Sequence, residues 1–318
     1  MAIKRHFLGW NQAALKAACL FLQSRYLREK SLDLSAVTVV VPGKRAGRRL
    51  LELLVDLAEE EDLLLTPPVI TTEGHLPELL YIPQHPFATD LTQKLAFVKA
   101  LQSLSPNRLK AIIPFPPAST ESTRWLELGE MLRGLHLELA AEGLAFDDVA
   151  RVGKTVSGFT DEVRWQALRE VQQAYLRTLD SLELWDKQTA RLVAIKQREF
   201  ALSGDLVLIG TVDINHAMRQ ILDQVAEKVT ILIPAPESLA DHFDEHGCLV
   251  TDKWRSHRLN FSDSQLVQVD SPADQAFAVG QWLAKQADRY SANDIIIGML
   301  DERLVSQVQR ELRSATGE

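Results

Sequence analysis

Residues 37–57, VTVVVPGKRAGRRLLELLVDL, constrain the fold more than any other stretch of the chain. Val37 to Val41 form a short apolar run rich in β-branched side chains, and Pro42-Gly43 stops it. Leu50, Leu51, Leu53, Leu54 and Leu57 then recur at helical spacing. A fully apolar strand that turns tightly into an amphipathic helix belongs to a parallel sheet covered by helices.

The charges on this helix run the wrong way. Lys44, Arg45, Arg48 and Arg49 crowd its start, and Glu59, Glu60, Glu61 and Asp62 crowd its end. The helix dipole favours the opposite order, by about 0.3–1 kcal/mol per well-placed charge. Backbone N–H groups at a helix start already attract anions, so cations beside them read as a phosphate site. A merely solvated basic face is the plain alternative.

Around this unit the sequence alternates. His6–Gly9 reads as a strand and Gln12–Leu27 as a helix. Leu63–Leu65 with Pro67–Ile70 reads as one more short strand, and Thr71-Thr72-Glu73-Gly74 as a loop. After Pro86 the pattern becomes helical, over Leu91–Leu104, Ser122–Glu142, Asp161–Leu182 and Lys187–Phe200, with a proline-rich connector at Ile113–Pro117. Alternation returns with a strand at Leu206–Ile209, a helix at Ala217–Glu227 and a strand at Val229–Ile233. A loop region with Trp254 follows. Then come Leu266–Val269, a helix at Ala273–Ala287, a strand at Asp294–Met299 and a helix at Glu302–Arg313.

The expected fold is therefore α/β: a parallel-sheet domain (residues 1–85 and 203–262) interrupted by a helical insertion (86–202). Residues 263–318 begin a second α/β domain. One strand–helix–strand–helix unit is too little for a sheet covered on both faces. That second domain is expected to be incomplete, with the remainder downstream of Glu318.

Composition excludes several functions. The net charge is −8, so any nucleic-acid contact must be a local patch on an acidic body. Cys19 and Cys248 are the only cysteines and are far apart, which argues against a disulfide scaffold, a zinc ribbon or an iron–sulfur cluster within this chain. No stretch approaches the length of a membrane span, and the N-terminus does not read as a secretory signal. A cytoplasmic location is the expectation.

Nucleotide and metal motifs are weak. Gly153-Lys154-Thr155 has Asp148 where a phosphate loop needs its first glycine, and no strand precedes it. After the first strand, Gly9-Trp10-Asn11-Gln12-Ala13-Ala14-Leu15-Lys16 offers a better position, but Ala14 replaces the second glycine and Leu15 the lysine. Lys16 falls where a Mg²⁺-binding Ser or Thr belongs. Asp213 comes late for an acid that would end the Leu206–Ile209 strand and hold Mg²⁺. His242 and His246 lack the HExxH arrangement and read as a solvated helix or loop. Trp125 and Trp165 fall in helical patterns and read as core. No cofactor is expected in this chain.

The order of elements resembles the N-terminal part of the AddB-type subunit of bacterial AddAB-type ATP-dependent helicase–nucleases, with its inactivated superfamily-1 helicase fold. VVVPGKRAGRRL followed by LLLTPPVITTEGHL carries the resemblance most specifically. LVLIGTVDINHAMRQIL and VTILIP are similar to the region of helicase motifs II and III. SPADQAFAVGQWLAKQ with NDIIIGMLDERLVSQVQREL is similar to the opening of a second RecA-like domain. The resemblance implies a first RecA-like, phosphate-loop-NTPase-type domain with a helical insertion, then a second RecA-like domain. It also implies a downstream PD-(D/E)XK nuclease, iron–sulfur-bearing in some members, which cannot fit in this sequence.

The implied function is that of a non-catalytic module that binds and scans single-stranded DNA within a double-strand-break repair helicase–nuclease. A helicase subunit of the AddA type would be its partner. Lys44, Arg45, Arg48 and Arg49, with Thr71 and Thr72, are the candidate DNA-backbone contacts. Two alternatives stand beside it: a working ATPase using Lys16 and Asp213, and a scaffold that binds a helicase partner through the helical block.

Overall fold

The computed structural model describes residues 2–258 and 261–316. The chain separates into two compact units, Met1–Arg255 and Ser256–Glu318. Their division falls a few residues before the expected 262/263 boundary.

The first unit opens with β1 (Lys4–Phe7) and α1 (Ala14–Tyr26), followed by a hairpin of β2 (Leu27–Arg28) and β3 (Ser31–Asp33). Next come β4 (Val37–Val41), α2 (Lys44–Glu60), β5 (Leu64–Thr66) and β6 (Val69–Thr72). A 3₁₀ turn, Glu73–His75, leads to the short α3 (Pro77–Leu80). The helical block is α4 (Asp90–Gln102), α5 (Pro106–Ile112), α6 (Ser122–Ala141), α7 (Phe146–Val152), α8 (Glu162–Asp180) and α9 (Lys187–Gln197). Then follow β7 (Asp205–Ile209), α10 (His216–Gln224), β8 (Val229–Ile233) and the short α11 (Thr251–Ser256). Trp254, expected in a loop, lies in α11.

Five strands form one parallel sheet in the order β1-β8-β7-β4-β6, while β2, β3 and β5 make a separate small sheet. Val39 is paired with Ile70 on one side and Val207 on the other. β4, which precedes the helical block, and β7, which follows it, are therefore neighbours in one sheet, as a domain interrupted in sequence requires. Near the start of the block Phe87 makes a parallel bridge to Trp185, the residue before the N-cap of α9.

Alternation within each strand divides the core. Val37, Val39, Val41, Val207 and Ile209 pack with Ala18 and Leu22 of α1 and Leu50 and Leu54 of α2. Val40, Leu206, Leu208, Ile231 and Ile233 pack on the opposite face with Met218, Ile221 and Leu222 of α10 and with Leu76 and Leu80. Both faces are covered, which is why these strands read as unbroken apolar runs. The helical block has its own core, in which Phe97 stacks on Tyr175 at 3.9 Å, and Trp125 is buried there. Trp165, half-buried, packs against the same core.

Gly204 fixes the entry of β7 beside β4, because a Cβ there would lie 1.8 Å from the backbone oxygen of Ala36. Gly204→Ala is expected to cost about 2 kcal/mol or more, since backbone rather than a side chain must move. Urea unfolding would detect it, and a change under about 0.5 kcal/mol, the range of ordinary surface substitutions, would show that the chain yields there without strain.

The strand expectations after α2 also require correction. Leu63–Ile70 does not give one strand: β5 joins the small sheet by pairing with β3, and β6 joins the main sheet by pairing with β4. Thr71 and Thr72 belong to β6 and not to a loop, since their β-branched side chains suit the pleat opposite Val40 and Val41.

In the second unit, α12 (Pro272–Gln286) packs on α13 (Arg303–Thr316), burying Ala276 and Val308. The strands expected at Leu266–Val269 and Asp294–Met299 are not formed. A strand needs a ladder partner, and among the described residues neither segment has one.

Candidate nucleic-acid interface

The site lies at the carboxyl end of the parallel sheet, where open α/β folds bind ligands. Pro42-Gly43 turn the chain out of β4 into α2. Gly47 brings α2 close to the sheet edge, since a Cβ there would meet Ile70 Cγ2 at 2.9 Å.

The start of α2 is bare. Its N-cap is Gly43, which offers no side-chain hydrogen bond, and its first turn holds no acid. The first intrahelical bond runs from the Gly47 N–H to the Gly43 carbonyl, so the amides of Lys44, Arg45 and Ala46 have no partner within the helix. Lys44, Arg45, Arg48 and Arg49 are all exposed. Arg49 pairs with Glu52 at 2.9 Å, the only ion pair in this group among the described residues. Uncapped donors and three cations without an acidic partner among the described residues thus share the first turns of α2.

The expected residues are partly brought together. Lys44, Arg48, Thr71 and Thr72 line one groove between α2 and β6, which His75 also borders. Arg45 and Arg49 do not line it. A larger cleft of about 550 Å³ adjoins Lys44 and Thr72 and reaches Gln188 and Arg191 of α9 and Asn215 at the start of α10. Arg191 is held by a two-pronged ion pair to Glu78, at 2.6 and 2.7 Å, and donates to the Gly74 carbonyl. Asn215 caps α10 by accepting from the Met218 N–H, a role its residue type signals. Nothing local in the sequence pairs residue 191 with residue 44, since the whole helical block separates them.

Beside this cleft lies one of mixed charge, lined by Glu73, Glu142 and Asp213 together with His216 and Arg219. Burial, and then the nearby Asp213 carboxylate, push the Glu73 carboxyl above its ordinary range. Among the described residues no group of three or more His, Cys, Asp or Glu side chains is placed to hold a metal ion.

The turn after β1 is not shaped as a phosphate cradle. The Leu8 and Gly9 N–H groups donate to the carbonyls of Ile233 and Ala235, so they are not free to point at an anion. The Trp10 indole donates to the Pro234 carbonyl at 3.0 Å. Lys16 is exposed on α1, and Asp213 is exposed beyond the end of β7. Gly153-Lys154-Thr155 is a 3₁₀ turn after α7, where Lys154 pairs with Glu162. ATP turnover, with or without DNA, is expected to stay at background in a phosphate-release assay. Turnover that disappears in Lys16→Ala would contradict this.

The histidine expectation changes as well. His246 is buried, its Nε2 2.8 Å from Asp223 Oδ1, and His242 stands edge-on to Trp254. Neither is simply solvated. Both cysteines are buried, and burial pushes the Cys19 thiol up to about 11, which leaves it protonated and inert at neutral pH. No helix among the described residues is long and apolar enough to cross a membrane. Comparison of the chain with protein-family models and with curated proteins finds no match to either.

Proposed function

We propose that this chain is a non-catalytic module that holds the backbone of single-stranded DNA at the start of α2. The observation that carries the reading is the bare N-terminus of α2, with three cations, Lys44, Arg45 and Arg48, lacking an acidic partner among the described residues. Arranged this way the helix is electrostatically unfavourable alone and favourable with an anion bound. Lys44 and Arg48 would take successive phosphates along the α2–β6 groove, with the Thr71 and Thr72 hydroxyls beside them. Arg45 and Arg49 would meet the strand as it leaves. Such contacts position a strand without reading its bases.

The resemblance to the helicase-like part of the AddB-type subunit supports the same reading. It adds a role in double-strand-break repair beside an AddA-type helicase subunit, in the cytoplasm. The ATPase alternative lacks a phosphate cradle, and the scaffold alternative, which works through the helical block, does not involve the start of α2.

Fluorescence anisotropy with labelled oligonucleotides of equal length tests this. Binding is expected at low salt, with affinities for mixed-sequence strands within a few-fold of one another. No binding at low salt, or binding that requires one base sequence, would overturn the proposal.

A further inference from the structure

The DNA reading accounts for one end of α2 and leaves the other unexplained. Its last turn holds Glu59 and Glu60 and no base, and Glu61 is its C-cap. Acids at a helix C-terminus oppose the dipole as bases at the N-terminus do. Between the two ends, Leu51 and Val55 are about two-fifths exposed (39% and 40%). At about 100° per residue, Lys44, Arg48, Leu51, Val55 and Glu59 fall on one stripe, and Asp62 lies beyond its end. The stripe therefore runs basic, apolar, acidic. It flanks an apolar groove of about 430 Å³ lined by Leu51, Val55, Leu63, Leu65 and Pro67 and closed by Glu59 and Asp62.

We infer that α2 is a contact surface for a second copy of this chain, with the two helices antiparallel across a two-fold axis between Leu51 and Val55. A stripe charged oppositely at its two ends is its own complement only when one copy is reversed. That reversal is what a two-fold axis performs. It sets Leu51 against the second copy's Val55, Arg48 against its Glu59, and Lys44 against its Asp62, and each pair occurs twice. A parallel arrangement would instead set base against base and acid against acid. Asp62 also pairs with Lys30, but that pair is fully at the surface and leaves the carboxylate accessible. The charge pattern favours a second copy over an unrelated partner, because both halves of the complement are present on one helix. The contact uses Lys44 and Arg48, which the DNA reading also uses, so a second copy and a DNA strand would compete for them.

The contact is small and charge-rich, so the dimer is expected to be weak and to depend on salt. It should dissociate as salt approaches about 0.5 M, where screening lengths fall to a few ångströms.

Sedimentation velocity on the full chain, without DNA, tests the inference. The parent should move from monomer to dimer with concentration at low salt. Lys44→Glu/Arg48→Glu and Glu59→Lys/Asp62→Lys should each weaken self-association at least tenfold. Mixing the two variants should restore a dimer, because every swapped charge then faces its opposite. Circular dichroism confirms that each variant is folded before mixing. A parent that stays monomeric, variants that dimerise as well as the parent, or a mixture that fails to form the heterodimer would overturn the inference.

Discussion

Asp186→Ala is expected to destabilise the protein by about 3–5 kcal/mol, because it breaks a buried, fully bonded polar cluster. Asp186 is buried at the start of α9, where its carboxylate accepts from the Thr189 N–H at 2.6 Å and the Tyr175 hydroxyl at 2.7 Å. It also lies 2.8 Å from His136 Nε2, and Gln172 meets the other ring nitrogen at 3.2 Å. One carboxylate thereby ties together α6, α8 and α9. Alanine would remove the cap of α9 and leave buried polar groups of His136 and Tyr175 without that partner. Asp186→Asn keeps the volume and an acceptor, and should cost about 1–3 kcal/mol.

The same residue sets an acid limit on stability. Burial alone would push its carboxyl up, but hydrogen bonding and charge from His136, with the Thr189 N–H and Tyr175 hydroxyl, outweigh burial and hold it at about 2. The folded value lies below the ordinary 3.8 of the unfolded chain. Its stabilisation is therefore complete above that value and is lost as pH falls towards about 2. Urea midpoints measured from neutral pH down to about pH 2 should fall more steeply in the parent than in Asp186→Asn. Parallel curves would show that this carboxylate does not set the acid limit.

Replacing Lys44, Arg45, Arg48 and Arg49 together by Ala should weaken single-stranded DNA binding by about 10²–10³-fold near 0.1 M salt. Each phosphate contact on a single strand contributes a slope of about 0.7 in log affinity against log salt, or roughly fivefold between 1 M and 0.1 M. Folding should survive, because all four side chains are exposed and the change relieves an unfavourable dipole interaction. A loss under threefold in anisotropy titrations would reduce these residues to a solvated face.

The parts of the fold that could be read in advance are those where one local pattern decides. Val37–Val41 and Val229–Ile233 form strands over those same residues, because a continuous β-branched run buried on both faces has no other use. The return of strands after the helical block implies that β7 shares a sheet with β4, and the two are direct neighbours in it. Thr71 and Thr72 misled because their polarity resembles a loop, whereas pairing with Val40 and Val41 keeps them in the sheet. The small sheet was invisible because β2 and β3 are only two and three residues long. The short helices α5 and α7 escaped for a similar reason, having too few turns to show a period. At the site, the cations and the exposed helix start were legible. Their meeting with Arg191, His75 and the α2–β6 groove was not, because these are contacts between distant segments.

The salt dependence of DNA binding decides whether the start of α2 holds phosphates. The affinities of the parent and of Arg45→Ala/Arg48→Ala for one fluorescent single strand would be measured across several salt concentrations. Weaker binding is expected for the variant, with a salt slope shallower by about 1.4, two contacts at roughly 0.7 each. Equal slopes and equal affinities would contradict it, and the start of α2 would then be a solvated basic face.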